Sequence, residues 1–129
     1  ESLFYNLDES SENEIIRAGM ESIGFLIHDI LQALMNESFE ICIIQAGGGG
    51  ARKPLLQFIA DLLKVTVKLS AQKDKTALGV FRLLFKNQFG EFPEITQSYQ
   101  KEFVPKMTDT WRKEKLENWE KVLLKAGVK

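Results

Sequence analysis

Four consecutive glycines, Gly47 to Gly50, follow an apolar run at residues 41–44 and Ala46, and lead into Arg52, Lys53 and Pro54. The run is short and branched and is bounded by a turn, which favours a buried strand over a helix segment. Pro54 suits the first turn of a helix, where its missing N–H would be unpaired anyway. Residues 55–63 then read as an apolar helix. Strand, glycine loop and helix start together can aim bare backbone N–H groups at a ligand. Glycine lets the main chain approach closely and take positive φ, and a helix N-terminus favours negative charge. The spacing is neither G-x-G-x-x-G nor G-x-x-x-x-G-K-[ST], so neither of those phosphate-binding fingerprints is present. A nucleotide or phosphate loop and a plain tight turn both remain open.

Other chemistry-bearing side chains are sparse. The single histidine, His28, has no ligand-like partner nearby in sequence, so a solvated or hydrogen-bonded residue is expected rather than a metal ligand. The single cysteine, Cys42, cannot form an internal disulfide and reads as a core thiol in the apolar strand. Seventeen Lys and Arg against 18 Asp and Glu leave a net charge of −1, with the signs interleaved. No global field therefore points to nucleic acid or to an anionic membrane. No apolar run approaches the ~20 residues of a membrane span and no signal peptide is visible, so a reducing cytoplasm is the default expectation.

The remaining elements follow from periodicity. Ser11 and Glu14 have capping-box spacing before a long helix from about Glu12 to Met35. Its expected inward stripe is Ile16, Met20, Ile23, Ile27, Ile30 and Leu34. Gly19 and Gly24 interrupt it at about 1 kcal/mol each relative to Ala, which predicts close packing against another backbone. Upstream, Leu3, Phe4 and Tyr5 are expected to pack onto whatever precedes them. Residues 65–69 alternate as a strand, so strand–helix–strand predicts a parallel pair. Asp74 should cap a third helix over 75–85 that turns Ala77, Leu78, Phe81, Leu84 and Phe85 inward, followed by a loop over 87–95. After Pro105, a helix from about Asp109 to Ala126 should stop at Gly127 and bury Leu116, Trp119, Leu123 and Ala126.

The chain thus reads as one α/β domain, 1–129, with a lead-in at 1–11, a helix-strand-helix-strand-helix core at 12–86 and a helical tail at 99–129. Two parallel strands do not make an independent sheet with both edges open. Either further strands are missing or something pairs with these two, and a start at Glu1 rather than Met hints at a cleavage product or a fragment. An open strand edge predicts a homo-oligomer.

Four motifs lie in order along the chain. Arg17, Ala18, Glu21, Ile23, Phe25 and Asp29 occupy an R-A-x-x-E-x-I-x-[YF]-x-x-x-D pattern; Gly47 and Gly48 lead, at fixed spacing, to Leu55, Gln57, Phe58 and Asp61. Thr76-Ala77-Leu78-Gly79 come next, and Phe103, Pro105, Met107, Arg112 and Trp119 close the series. From about Glu14 onward the chain resembles the C-terminal lobe of the FGGY carbohydrate kinases, its glycerol kinase members above all.

The resemblance implies a partial ribonuclease-H-like lobe of the actin/hexokinase-type ATPases, which closes on ATP together with an N-terminal lobe. In that family the glycine loop and the following helix start contact the adenosine of ATP, which places nucleotide contacts on Gly47, Gly48, Gly49 and Arg52. Two residues depart from the family pattern. Ala46 stands where Asp is usual, and Arg52 stands where glycerol kinases have an adenine-contacting Asn. A guanidinium only donates, so it cannot copy the amide's pairing with adenine, but it can stack on the base or pair with a phosphate. Pentose kinases of the family share the Gly-Gly-Gly-Ala-Arg wording, which leaves the sugar open. The implied cofactor is ATP or ADP with Mg²⁺. The catalytic Asp, the phosphate loop and the substrate pocket of the family match nothing here, and no catalytic residue or metal ligand is assigned. Glu21, Asp29, Asp61 and Asp74 are read as structural pairs or caps. The expected role is the adenosine-side half of the ATP cleft of a glycerol or sugar kinase, inactive alone. The alternatives are a non-catalytic nucleotide-binding or interaction module derived from that lobe, and a plain helical interaction protein.

Overall fold

The computed structural model describes residues 11–35, 40–72 and 74–127; the expected packing of Leu3, Phe4 and Tyr5 lies outside them. In chain order the elements are α1 (Glu12–Met35), β1 (Ile43–Ala46), α2 (Lys53–Leu63), β2 (Thr66–Ser70), α3 (Lys75–Phe89), β3 (Tyr99–Phe103) and α4 (Asp109–Lys125). The sheet order is β1-β2-β3, with β1 and β2 parallel and β3 antiparallel to β2.

The expected parallel pair is present, and α2 connects its strands. β1 begins later than the apolar run suggests, because its register pairs Ile43 with Thr66 and Ala46 with Leu69. Ile44 and Ala46 pack against the core, whereas Ile43 is half exposed on this edge strand. Cys42 precedes β1 and is exposed, so it is not a core thiol. β3 is an addition to the expected pair and lies inside the segment expected to be helical tail. Val67 faces Phe103 across it, and the Lys68 ammonium pairs with Glu102 at 2.9 Å. Hydrogen bonding and charge from Glu102 raise the Lys68 pKa above its ordinary value.

α2 is the hub of the core. Leu55, Leu56, Ile59, Ala60 and Leu62 are buried on it and, with Val67 and Phe103, fill the space between helices and sheet. Each large aliphatic side chain so buried contributes about 2 kcal/mol. The helix ends at Lys64, held in the left-handed region at φ 58°. Its ammonium offsets that strain by donating to Met107 O at 2.8 Å and pairing with Asp109 at 3.0 Å.

Four aromatic rings then lock α1 and α4 onto α2. Phe25 stacks on Trp119 with centroids 5.0 Å apart, and Phe58 meets Phe25 and Trp111 edge-on at 5.5 and 5.9 Å. Polar bonds fix the same contact: Trp119 Nε1 donates to Asp29 Oδ2 at 2.9 Å, Lys115 Nζ to Glu21 Oε2 at 2.6 Å, and Arg112 Nε to Leu62 O at 2.6 Å. This aromatic payload rotates α1 relative to the expected stripe. Phe25 and Gly24 are buried and Met20 and Ile27 pack on the core, while Ile16, Ile23, Ile30 and Leu34 are exposed. His28 is half-buried, with Nδ1 3.2 Å from Asp29 Oδ1, a hydrogen-bonded residue as expected.

α3 differs most from expectation. It has no buried residue, and Ala77, Phe81 and Leu84 of the expected inward set are exposed. It also runs one turn further, to Phe89, where Phe85 and Phe89 rings lie 4.5 Å apart and Gly90 (φ 83°) donates to Lys86 O at 2.8 Å. The expected Asp74 cap forms, accepting from Ala77 N at 2.8 Å. On α4, Leu116, Trp119 and Leu123 are half-buried but Ala126 is exposed.

The helical glycines are not equivalent. A Cβ on Gly24 would fall 2.5 Å from Phe58 Cε1, so a ring rather than another backbone demands this glycine, whereas Gly19 has nothing within 4 Å of such a Cβ. Gly24→Ala should therefore destabilise the fold by about 1–3 kcal/mol through overpacking, and Gly19→Ala should stabilise it by up to about 1 kcal/mol through helix propensity. Urea unfolding of the two variants beside the parent checks both signs.

Candidate functional site

β1 and β2 run out side by side, with Ala46 opposite Leu69. The chain leaving β1 must therefore turn beside the chain leaving β2, at the carboxyl ends of parallel strands, where open α/β sheets bind ligands. Gly47 lies under the Lys75 side chain: a Cβ there would be 3.1 Å from Lys75 Cε and 3.7 Å from Ser70 Cβ. Gly48 takes φ +90°, which side-chain-bearing residues rarely adopt, and Gly49 and Gly50 face open space. The loop closes through Ala51 N–H to Gly48 O at 3.2 Å and Arg52 N–H to Gly50 O at 2.8 Å.

Arg52 is the N-cap of α2, in extended conformation, and its side chain supplies no cap bond; Pro54 sits in the first turn. The first intrahelical bond is Leu56 N–H to Arg52 O at 3.0 Å. The N–H groups of Lys53 and Leu55 thus have no acceptor within the helix, and the helix dipole adds partial positive charge at the same point. Arg52 and Lys53 are exposed beside them.

Gly47, Gly48, Gly49 and Arg52 are thereby brought together in one exposed loop. Such a surface can lay bare backbone against a flat ring and donate hydrogen bonds to an anion. The four helix-borne acids read as structural do serve so: Glu21 pairs with Arg17 and Lys115, Asp29 holds Trp119, Asp74 caps α3 and Asp61 is buried beneath the 106–107 backbone. Among the described residues, no three His, Cys, Asp or Glu side chains are grouped so as to hold a metal ion. Ser70 and Lys75 are neighbours of the loop that periodicity did not single out. Their signal was the parallel pairing itself, which sets the chain after β2 beside the chain after β1.

The molecule is thus an α/β lobe with a glycine loop at the carboxyl ends of its parallel strand pair. A family model for the C-terminal domain of the FGGY family of carbohydrate kinases matches residues 3–86, and the chain belongs to that family. Glycerol kinase of Coxiella burnetii (strain Dugway 5J108-111) is 30% identical over 128 residues, covering 95% of this chain and 26% of the relative. The Plasmodium falciparum glycerol kinase solved with ADP superposes with a TM-score of 0.67 at 24% identity, over 97% of this chain and 26% of that one. A xylulose kinase from Brucella ovis gives 0.77 at 23%, over 98% of this chain and 28% of that one. The fold is accordingly a partial lobe of the actin/hexokinase-type ATPases, and the chain spans about a quarter of the length of the glycerol kinases it matches. Among the described residues no helix is long and apolar enough to cross a membrane.

The motif residues behind the resemblance serve mostly as scaffold. Glu21, Phe25, Asp29, Phe58, Asp61, Phe103, Arg112 and Trp119 all make contacts that join helices to one another or to the sheet. The glycines, with Arg52 and Lys53, are exposed at the loop.

Because Gly48 is set by its φ and Gly49 is not, Gly48→Val should lower stability by about 1–2 kcal/mol, while Gly49→Ala should change it by less than about 0.5 kcal/mol. Thermal unfolding of the two variants distinguishes backbone strain from simple loss of glycine.

Proposed function

We propose that this chain supplies the adenosine side of the ATP cleft of a glycerol or sugar kinase, a cytoplasmic enzyme that phosphorylates a polyol or sugar hydroxyl with MgATP. The observation that carries the reading is the exposed glycine loop opening directly into the uncapped start of α2. Backbone from Gly47 to Gly49 receives the adenosine, and Arg52 stacks on the base or meets a phosphate in place of an amide. Phosphoryl transfer also needs a base to orient the attacking hydroxyl, donors around the transferred group and a metal site. In this reading those parts belong to an N-terminal lobe that works with this chain.

The chain alone should therefore show no kinase activity. A coupled assay with ATP, Mg²⁺ and glycerol or pentoses is expected to stay at the protein-free background; turnover that survives repurification overturns the assignment of the base to another lobe.

Half a cleft leaves the phosphates largely in water, so ADP should bind in the millimolar range, or about 4 kcal/mol. Amide shifts on adding ADP should cluster at Gly47 to Arg52 and disappear in Gly48→Val. Shifts centred on the helix carrying Trp111 and Trp119 would count against the site.

A second reading, a non-catalytic interaction module derived from the lobe, is favoured by Ala46, by Arg52 and by the apolar surface of the helices. Ile16, Ile23, Ile30 and Leu34 on α1 and Phe81, Leu83, Leu84 and Phe89 on α3 are exposed, and among the described residues β1 leaves one strand edge unpaired. Both readings predict association, either with the rest of a kinase or with a second copy. Sedimentation at tens of micromolar should give a homo-oligomer whose interface buries well over ~1,000 Å². A dispersed monomer across that range shows that these faces need no cover.

A further inference from the structure

At the ends of β1 and β2 opposite the glycine loop, α1, the chain entering β1, the end of α2 and the start of α4 enclose a cavity of about 230 Å³. Leu31, Ile41, Leu63 and Val65 give it apolar walls, and Gln32 adds an amide. Three charged side chains also line it: Glu40, Lys64 and Arg112. The Lys64 charge is already met, by Asp109 at 3.0 Å and by Met107 O at 2.8 Å. Glu40 and Arg112 are different. Among the described residues neither belongs to an ion pair, with the other or with any further group. The Arg112 side chain is half-buried and anchored by its Nε, which donates to Leu62 O at 2.6 Å, so the rest of its planar fork is preset.

Apolar walls with one unpaired anion and one unpaired cation suit a small molecule that carries both opposite charges and an apolar body. A plain carboxylate leaves Glu40 unanswered, and a plain amine leaves Arg112 so. At the roughly 30 Å³ that a water takes up in the liquid, the space holds about eight non-hydrogen atoms. An α-amino acid with a short branched side chain has that size. Within a peptide the ammonium and the carboxylate of one residue are not both present, which confines the class to free amino acids. We propose that this cavity binds a small apolar α-amino acid, its carboxylate on Arg112, its ammonium on Glu40 and its side chain against Leu31, Ile41, Leu63 and Val65. The site lies at the opposite strand ends from the glycine loop and does not depend on the nucleotide reading.

Amide-resolved titration of the chain with L-valine, isovalerate and isobutylamine tests it, the last two being valine without its amino group and valine without its carboxylate. L-valine should bind in the millimolar range and shift Gln32, Ile41, Leu63 and Arg112, while leaving Gly47 to Arg52 unmoved. Isovalerate and isobutylamine should each bind about fivefold more weakly. Because Arg112 also ties α4 to α2, its part is read from isobutylamine rather than from a substitution. Glu40→Gln, at an exposed side chain with no ion pair to lose, should weaken L-valine about fivefold and leave isovalerate unweakened. L-valine that shifts nothing here, or that binds Glu40→Gln as it binds the parent, overturns the proposal. Isovalerate that matches L-valine also overturns it and makes the cavity a site for simple carboxylates. Isobutylamine that matches L-valine overturns it likewise, by removing Arg112 from the site.

Discussion

Asp61 Oδ1, on the buried side of α2, accepts hydrogen bonds from Lys106 N–H at 2.6 Å, Met107 N–H at 3.3 Å and Gln57 Nε2 at 3.2 Å, with the residue only 3% exposed. Burying a carboxylate costs several kcal/mol, and each bond from a neutral donor to it returns about 1.5–3 kcal/mol. The balance favours burial only while the turn at residues 104–108 stays against α2. That turn carries the exit of β3 and places Thr108, whose Oγ1 accepts from Trp111 N at 3.2 Å and starts α4. Gln57 Nε2 adds a second tie, donating to Val104 O at 2.9 Å. One acceptor thus couples the hub helix, the third strand and the last helix.

Everything that reaches α1 from the C-terminal end depends on that placement. Arg112, Lys115 and Trp119 sit at successive turns of α4 and meet the end of α2, Glu21 and Asp29 in turn. Trp119 stacked on Phe25 decides which face of α1 turns inward, and Gly24 then admits the Phe58 ring. The result is a rigid layer of α1, α2 and α4 whose contacts lie away from the glycine loop. That rigidity is what a loop of four glycines lacks by itself; α2 anchors one end of it and the β1–β2 ladder the other.

The molecule is correspondingly asymmetric. One side is consolidated by aromatic rings and charge-assisted bonds, while α3 stands with no buried residue and α1 shows a row of branched aliphatics to solvent. The loop lies between these two regimes, touching Lys75 of the loosely held helix and rooted in the tightly held one. The net charge of −1 gives no hint of its polarity, which arises locally from Arg52, Lys53 and the uncapped helix start.

The elements legible in the sequence were those governed by rules acting within a few residues. The bounds of α1, the Asp74 cap, Pro54 in the first turn of α2, Gly127 after α4 and the parallel strand pair all follow from capping, proline geometry or alternation. The candidate loop was legible for the same reason, since glycine runs and helix starts announce themselves locally. Three things were decided only by tertiary structure. β3 is mostly polar and gains its stability from Val67 and Lys68, more than thirty residues upstream. The rotation of α1 was hidden because two overlapping apolar faces share its periodicity, and only the stacking of Trp119 selects between them. The exposure of α3 was invisible because amphipathicity states that a face should be buried, not that anything in the chain is there to cover it. Local preference is read along the chain, but which surface a residue meets depends on partners distant in sequence, and their energies enter only when the chain closes on itself.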